Sequence, residues 1–277
     1  MNASNILVPI DFSTCSKNAL KVAIGLAKRF GAKIHMVNAV HAHHPHPDFV
    51  GGTLIDSIMM DYENQVKESF KELESEIVEL QDVPHEAERF LAYLTDAIYS
   101  VCKQKKIDLI VMGTRSDHSE IEHMIGTRTT DILEMSSVPV IVVPEAATSF
   151  DLKKIGFAFD LTEIKNTKKL KLINELAKSY GSEILIFSIV SNSESITALK
   201  QKQLKTIKEE FEGVEVSART IEGNDVINGI NEFAEAHELD MIVLVPRHRS
   251  FFGKLFKPSV TKNIAVDSKT PLLSFHE

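Results

Sequence analysis

One pattern is written twice in this chain, and no other feature restricts its folds as sharply. Leu26-Ala27-Lys28-Arg29-Phe30-Gly31-Ala32-Lys33-Ile34 closes a helical run near the start, and Leu176-Ala177-Lys178-Ser179-Tyr180-Gly181-Ser182-Glu183-Ile184 closes another far downstream. Asp108-Leu109-Ile110-Val111-Met112 returns as Asp240-Met241-Ile242-Val243-Leu244, each time before a loop, a helix and a strand that contains proline. Self-similarity at a long fixed spacing marks a duplicated structural unit. The 277 residues therefore divide into two domains of about 140 residues each, expected over 1–147 and 148–277. The copies part at one place. The first carries Gly113 and Gly126-Thr127 where the second has Val245 and Pro258-Ser259, so the first is the half expected to hold phosphate.

Local patterning sets the fold class. Residues 6–10 form a short apolar run, Ser13 offers an N-cap, and Ala19, Leu20, Ala23, Ile24 and Ala27 recur at helical spacing until Gly31 ends the helix. A strand over 33–40, a long helix over 54–80, a strand over 87–92, a helix capped near Thr95, a strand over 108–112, a helix over 127–135 and a strand over 138–143 follow. The second copy repeats the order with strands over 155–159, 183–190, 214–221, 240–245 and 271–275. Alternating strands and helices predict an α/β protein of two tandem open parallel five-stranded sheets with helices on both faces. Pro139 and Pro271 correspond, and proline in a strand belongs at an edge or a strand's start. Each closing strand then borders its sheet, and its apolar edge invites the matching strand of the other half, making one chain a pseudo-symmetric dimer.

Composition narrows the partners. A net charge of −8 argues against sequence-independent nucleic-acid binding, which needs basic side chains to replace counterions. The lysines around 168–171 and 200–205 read as solvated helix faces. No apolar run approaches the roughly 20 residues that span a bilayer, so no membrane is expected. Met1 to Ser4 show no basic segment leading into a long apolar stretch, so no secretory leader is expected. Cys15 and Cys102 give no disulfide framework, and a reducing cytoplasm is the expected location.

In an open parallel sheet, ligands collect beyond the carboxyl ends of the strands where strand order reverses. Gly113 falls at such an end, where a residue without a Cβ lets backbone amides approach an anion. Gly126-Thr127 opens the next helix, whose free amides and dipole favour phosphate. The spacing is Gly113, two residues, Ser116, nine residues, then Gly126-Thr127. With these residues the chain resembles a tandem member of the universal stress protein family over nearly its whole length. Nucleotide-binding members of that family carry Gly, two residues, Gly, nine residues, then Gly followed by Ser or Thr. Ser116 is the departure: a positive φ there strains a serine by about 1 kcal/mol or more, although its hydroxyl can donate to phosphate.

The resemblance implies a Rossmann-like, adenine nucleotide alpha hydrolase-like fold and a site for ATP or another adenine nucleotide in the first half. Carried over position by position, that site comprises Pro9, Asp11, Ala39, Val40, Met112, Gly113, Arg115, Ser116, Gly126, Thr127 and Arg128. Asp11 corresponds to the acid that contacts the adenosine portion, and Ala39 or Val40 to the apolar residue against adenine. Capping the helix after Ser13 is the competing role for Asp11. The second half keeps Asp160 and Ser259, but Val245, His248 and Pro258 replace the glycine positions. A scaffold role is expected there, with Phe251, Phe252, Leu255 and Phe256 covering the vacated pocket.

Other features carry simpler readings. His41, His43, His44 and His46 with Asp48 could ligate a transition metal, but their spacing fits no standard site and a solvated loop accounts for them. His118 and His123 read as exposed loop histidines, Cys15 as a small buried thiol, and Asp117, Glu120 and Glu122 as solvated loop charge. With no Walker loop and no identifiable base and nucleophile, the expected function is a nucleotide-dependent regulator in the stress response, read by a protein partner through the loop over 114–125, with at most slow ATP hydrolysis. A nucleotide-independent interaction module is the alternative. Whether Mg accompanies the phosphates, and whether two chains form a homodimer, are left open by the residues.

Overall fold

A computed structural model describes residues 3–40, 52–114, 127–147, 150–160, 170–190, 198–245 and 270–275. The first half runs β1 (Asn5–Pro9), α1 (Thr14–Phe30), β2 (Lys33–Ala39), α2 (Gly52–Glu76), β3 (His85–Phe90), α3 (Leu94–Lys105), β4 (Leu109–Thr114), α4 (Thr127–Met135) and β5 (Val140–Pro144). The second runs β6 (Lys154–Ala158), α5 (Leu170–Tyr180), β7 (Glu183–Val190), α6 (Ala198–Glu209), β8 (Glu215–Glu222), α7 (Val226–Ala236), β9 (Met241–Leu244) and β10 (Leu272–Ser274).

The strands form one ten-stranded sheet in the order β3-β2-β1-β4-β5-β10-β9-β6-β7-β8. Pairing is parallel inside each half, and β5 meets β10 antiparallel, with Leu272 opposite Val142 and Leu273 opposite Ile141. The two expected five-stranded sheets are thus continuous, because the strand bordering each half is apolar and finds its counterpart. All four of these side chains are almost fully buried, and burial of each stabilises the junction by about 1.5–3 kcal/mol. Pro139 and Pro271 precede their strands, and their carbonyls accept equivalent bonds from Ile110 and Ile242, each 2.9 Å.

Alternation divides the core into two layers. Ile6, Val8, Leu109, Val111, Ile141 and Val143 face α1 and α2, and Ile155, Phe157, Met241, Val243 and Leu273 continue that layer against α5 and α6. Leu7, Ile110, Met112, Val140 and Val142 face α3 and α4, and Phe187, Ile242, Leu244 and Leu272 continue against α7.

The duplication holds at the level of single hydrogen bonds. Asp108 Oδ2 accepts from the backbone amides of Ser4 and Asn5 at 2.9 and 3.1 Å. Asp240 Oδ2 accepts from those of Lys153 and Lys154 at 2.7 and 2.8 Å. Gly31 and Gly181 both take left-handed φ, 65° and 66°, and the following amide returns to the helix in each, Ala32 to Ala27 and Ser182 to Ala177. Several boundaries differ from the sequence expectation: the strand expected over 87–92 is His85–Phe90, and the one expected over 138–143 is Val140–Pro144. The helix expected over 54–80 stops at Glu76, and a tight 3-10 turn over Val78–Asp82 follows. Tyr93, not Thr95, occupies the N-cap of α3, without a side-chain cap bond. Among the described residues no helix is long and apolar enough to cross a membrane.

Candidate functional site

The sheet order places β1 between β2 and β4. The chain leaves β1 towards β2 and β3 on one side and returns to β4 and β5 on the other, so the carboxyl ends of β1 and β4 flank the switch point where open α/β sheets bind ligands. Pro9 and Met112 are buried there, and Gly113 and Ala39 are half-buried. Val40, just past the end of β2, is 38% exposed. Asp11 lies exposed beyond β1, its Oδ1 accepting from the backbone N of Ser13 at 3.0 Å and from the Ser13 hydroxyl. Ser13 is itself the N-cap of α1 and accepts from the amide of Ser16 at 3.3 Å. The cap role weighed for Asp11 therefore belongs to Ser13, and Asp11 braces that cap from the site side.

Thr127 and Arg128 begin α4, as expected for a helix opening at that position. Arg115, Ser116 and Gly126 lie outside the described residues, as do His41, His43, His44 and His46 with Asp48, and Asp117, His118, Glu120, Glu122 and His123. The structure thus brings together Pro9, Asp11, Met112 and Gly113, with Ala39 and Val40 one strand away.

Gly113 has a second reason to be glycine. A Cβ built on it would overlap the carbonyl carbon and oxygen of Cys15 and stand 2.9 Å from the Cys15 Cβ. The first turn of α1 crosses the end of β4 against bare backbone. In the other half, pairing fixes the counterpart: Ile110 is opposite Val140 as Ile242 is opposite Leu272, so Val245 stands where Gly113 does, with its side chain buried. Asp160 follows Phe159, whose amide donates to Phe187 as that of Ile10 donates to Val37, both at 2.8 Å. His248, Phe251, Phe252, Leu255, Phe256, Pro258 and Ser259 lie outside the described residues.

Four residues absent from the sequence-derived set, Phe12, Phe70, Asn38 and Tyr62, shape the β1–α1 turn. Phe12 adopts a left-handed φ of 63°, which strains a non-glycine residue by about 1 kcal/mol or more. Its ring packs edge-on against Phe70 of α2, centroids 5.1 Å apart. Asn38, buried at the end of β2, donates from Nδ2 to the carbonyl of Ile10 at 2.8 Å, and its Oδ1 accepts from the hydroxyl of Tyr62 on α2 at 2.9 Å. A carbonyl can only accept, so the amide orientation is fixed by its partners. The available signal was a polar residue directly after the apolar pair Met36-Val37 of β2; nothing in the sequence marks Phe12.

Other reactive groups have structural roles. Cys15 is buried, and burial pushes the Cys102 thiol up to about 11. His35, Glu86 and Glu88 could meet on one cation, but Lys105 Nζ already lies 3.0 and 3.4 Å from the two carboxylates. Lys33 binds Glu86 at 2.6 Å, and His35 bonds Glu86 at 2.8 Å and Asn5 at 2.9 Å. The Lys33 bond leads in holding Glu86 down at about 2 against an ordinary 4.5. A carboxylate lowered in the folded state contributes stability that is complete above the unfolded value and lost as pH falls towards the folded one. Urea unfolding of the wild type and of Glu86→Gln is therefore expected to show a gap that is constant above about pH 5 and narrows between 4.5 and 2; a gap unchanged over that window would contradict the network.

The model of the universal stress protein family matches residues 2–144 and again 152–276. A universal stress protein of Thermus aquaticus is 29% identical over 139 residues, which cover 50% of this chain and 96% of that protein. The crystal structure of a universal stress protein from Archaeoglobus fulgidus superposes with a TM-score of 0.76 at 17% identity, covering 100% of this chain and 99% of that one. The cytoplasmic domain of a prokaryotic cation chloride cotransporter superposes at 0.54 with 9% identity, covering 98% and 94%. The two structural likenesses show the fold alone.

Proposed function

The chain belongs to the universal stress protein family, whose model matches both halves, and from that premise we propose that residues 1–147 bind ATP or another adenine nucleotide while residues 148–277 act as scaffold. The protein works in the cytoplasm as a nucleotide-dependent regulator of the stress response, read by a protein partner, and turns ATP over slowly if at all. Asp11 accepts from the nucleoside, Ala39 and Val40 lie against the base, and Gly113, Ser116, Gly126 and Thr127 receive the phosphates, with Arg115 and Arg128 adding charge. Carboxylate oxygens of this kind favour ribose or adenine donors, and a helix start such as that of α4 favours anions. Mg would sit on the phosphates. The antiparallel join of β5 to β10 supports reading the two halves as an internal pseudo-dimer.

The observation that carries the reading is the asymmetry at matched strand ends: β4 carries Gly113 next to its last residue, and the matching position after β9 is the buried Val245. A second reading, an interaction module without nucleotide, draws on the contact between Gly113 and Cys15, which accounts for the glycine by packing. Titration calorimetry with ATP, ADP and AMP separates them, together with mass spectrometry of whatever the purified protein releases on denaturation. The first reading expects saturable binding that Gly126→Asp abolishes and Asp11→Ala weakens about tenfold, the worth of a charge-assisted hydrogen bond. Absence of uptake by the wild type at millimolar nucleotide selects the second.

A further inference from the structure

We propose that α2 is the positioning element of this site, acting through Tyr62, Asn38 and Phe70 to hold Asp11 where a nucleoside can meet it; the proposal rests on the adenine-nucleotide reading above. Asp11 sits between two backbone features that do not hold themselves. On one side is Ile10, whose carbonyl accepts from buried Asn38. On the other is Phe12, in the left-handed region. A side chain larger than glycine stays in that region only when its surroundings over-determine it, and here the Asp11–Ser13 bonds that span Phe12 are joined by restraints from outside the turn.

Asn38 is 5% exposed, and both polar ends of its amide are engaged, one by Ile10 and one by Tyr62. The Tyr62 hydroxyl donates to Asn38 Oδ1, and burial raises the phenol above its usual range. One turn beyond the next, Phe70 is buried and meets the Phe12 ring edge-on. α2 therefore touches the turn twice, by a hydrogen-bond relay ending at the carbonyl before Asp11 and by an aromatic contact just after it. Between these points the Asp11 carboxylate is pinned to the amide and hydroxyl of Ser13. The turn is preorganised before ligand arrives, which lowers the ordering cost of binding. None of these three side chains needs to touch the ligand; each acts through Asp11.

The test is a double-mutant cycle read by nucleotide affinity, with AMP and ATP as probes. Tyr62→Phe deletes one hydroxyl and keeps the ring. It is expected to weaken both nucleotides about fivefold, the factor for one hydrogen bond of ordinary net strength, and to have no effect when Asp11 is already alanine. Asn38→Ala, tested in the same two backgrounds, is expected to cost up to about tenfold, the full worth of Asp11, and only where Asp11 is present. A merely structural role predicts equal losses with and without Asp11, and that result overturns the proposal, as does full affinity in Tyr62→Phe. If the wild type itself binds neither nucleotide, the underlying reading fails and the positioning role falls with it; binding with a silent cycle removes the positioning role alone.

Discussion

Gly113→Val is expected to destabilise the N-terminal half by about 3 kcal/mol or more, the upper range for forcing extra carbon into a packed interior. The new Cβ would land on the Cys15 carbonyl group, which is helix backbone and cannot rotate aside. To make room, the start of α1 would have to lift from β4, taking with it the Ser13 cap and the bond from Asn18 Nδ2 to the carbonyl of Glu145. Gly25, also on α1, has nothing within 4 Å of where its Cβ would go. Gly25→Ala is therefore the matched control, neutral or stabilising by up to about 1 kcal/mol because alanine is the better helix former. Urea unfolding of the two variants decides the matter; a Gly113→Val midpoint near that of the wild type would show that α1 yields easily. The consequence reaches function. Under the proposed function, loss of nucleotide binding in a Gly113 variant would report the fold as much as the proposed phosphate contact, so Asp11 and Gly126 are the informative positions.

That contact also shows where sequence reading stops. Ser13 and Gly31 were legible as the ends of α1 because capping is local chemistry: a hydroxyl for the first free amides, and a residue that tolerates left-handed φ after the last turn. The repeat was legible because the same side chains recur at the same structural offsets, Asp108 and Asp240 among them. Gly113 was legible as special, but its partner is Cys15, nearly a hundred residues away in sequence, and no spacing rule connects them. The break at Glu76 was hidden for a related reason. Leu73, Ile77 and Leu80 are 1%, 1% and 0% exposed at the i, i+4, i+7 spacing of one helix face, so the apolar pattern runs on unbroken past the point where the helix stops. Phe12 carried no signal because aromatic residues seldom take left-handed φ, and the Asp11–Ser13 bonds that span it and its contact with Phe70 show what holds this one there.

The halves also solve one packing problem in opposite ways, and exchanging the solutions should have a large effect. On the α3 side of the first sheet half, Leu7, Val37 and Val101 share an apolar layer. Strand register and the helix-end bonds from Ile107 to Cys102 and from Leu239 to Ala234 match these positions to Gly156, Phe187 and Phe233. A large residue on the first strand with small ones beside it becomes glycine next to the Phe187 ring, which stacks on Phe233 with centroids 4.2 Å apart. Gly156→Leu alone is expected to cost about 3 kcal/mol or more, because even a Cβ there would collide with the end of Leu239 and lie 3.2 Å from the Phe187 ring. Adding Phe187→Val and Phe233→Val recreates the volume pattern of the other half. Each valine alone opens a cavity and destabilises, yet the triple variant should be more stable than Gly156→Leu. Residues in direct contact couple in this way, and the sign of the interaction energy is measurable by denaturant unfolding. If the three changes simply add, the size exchange between the copies is coincidence and the two layers are packed by unrelated means.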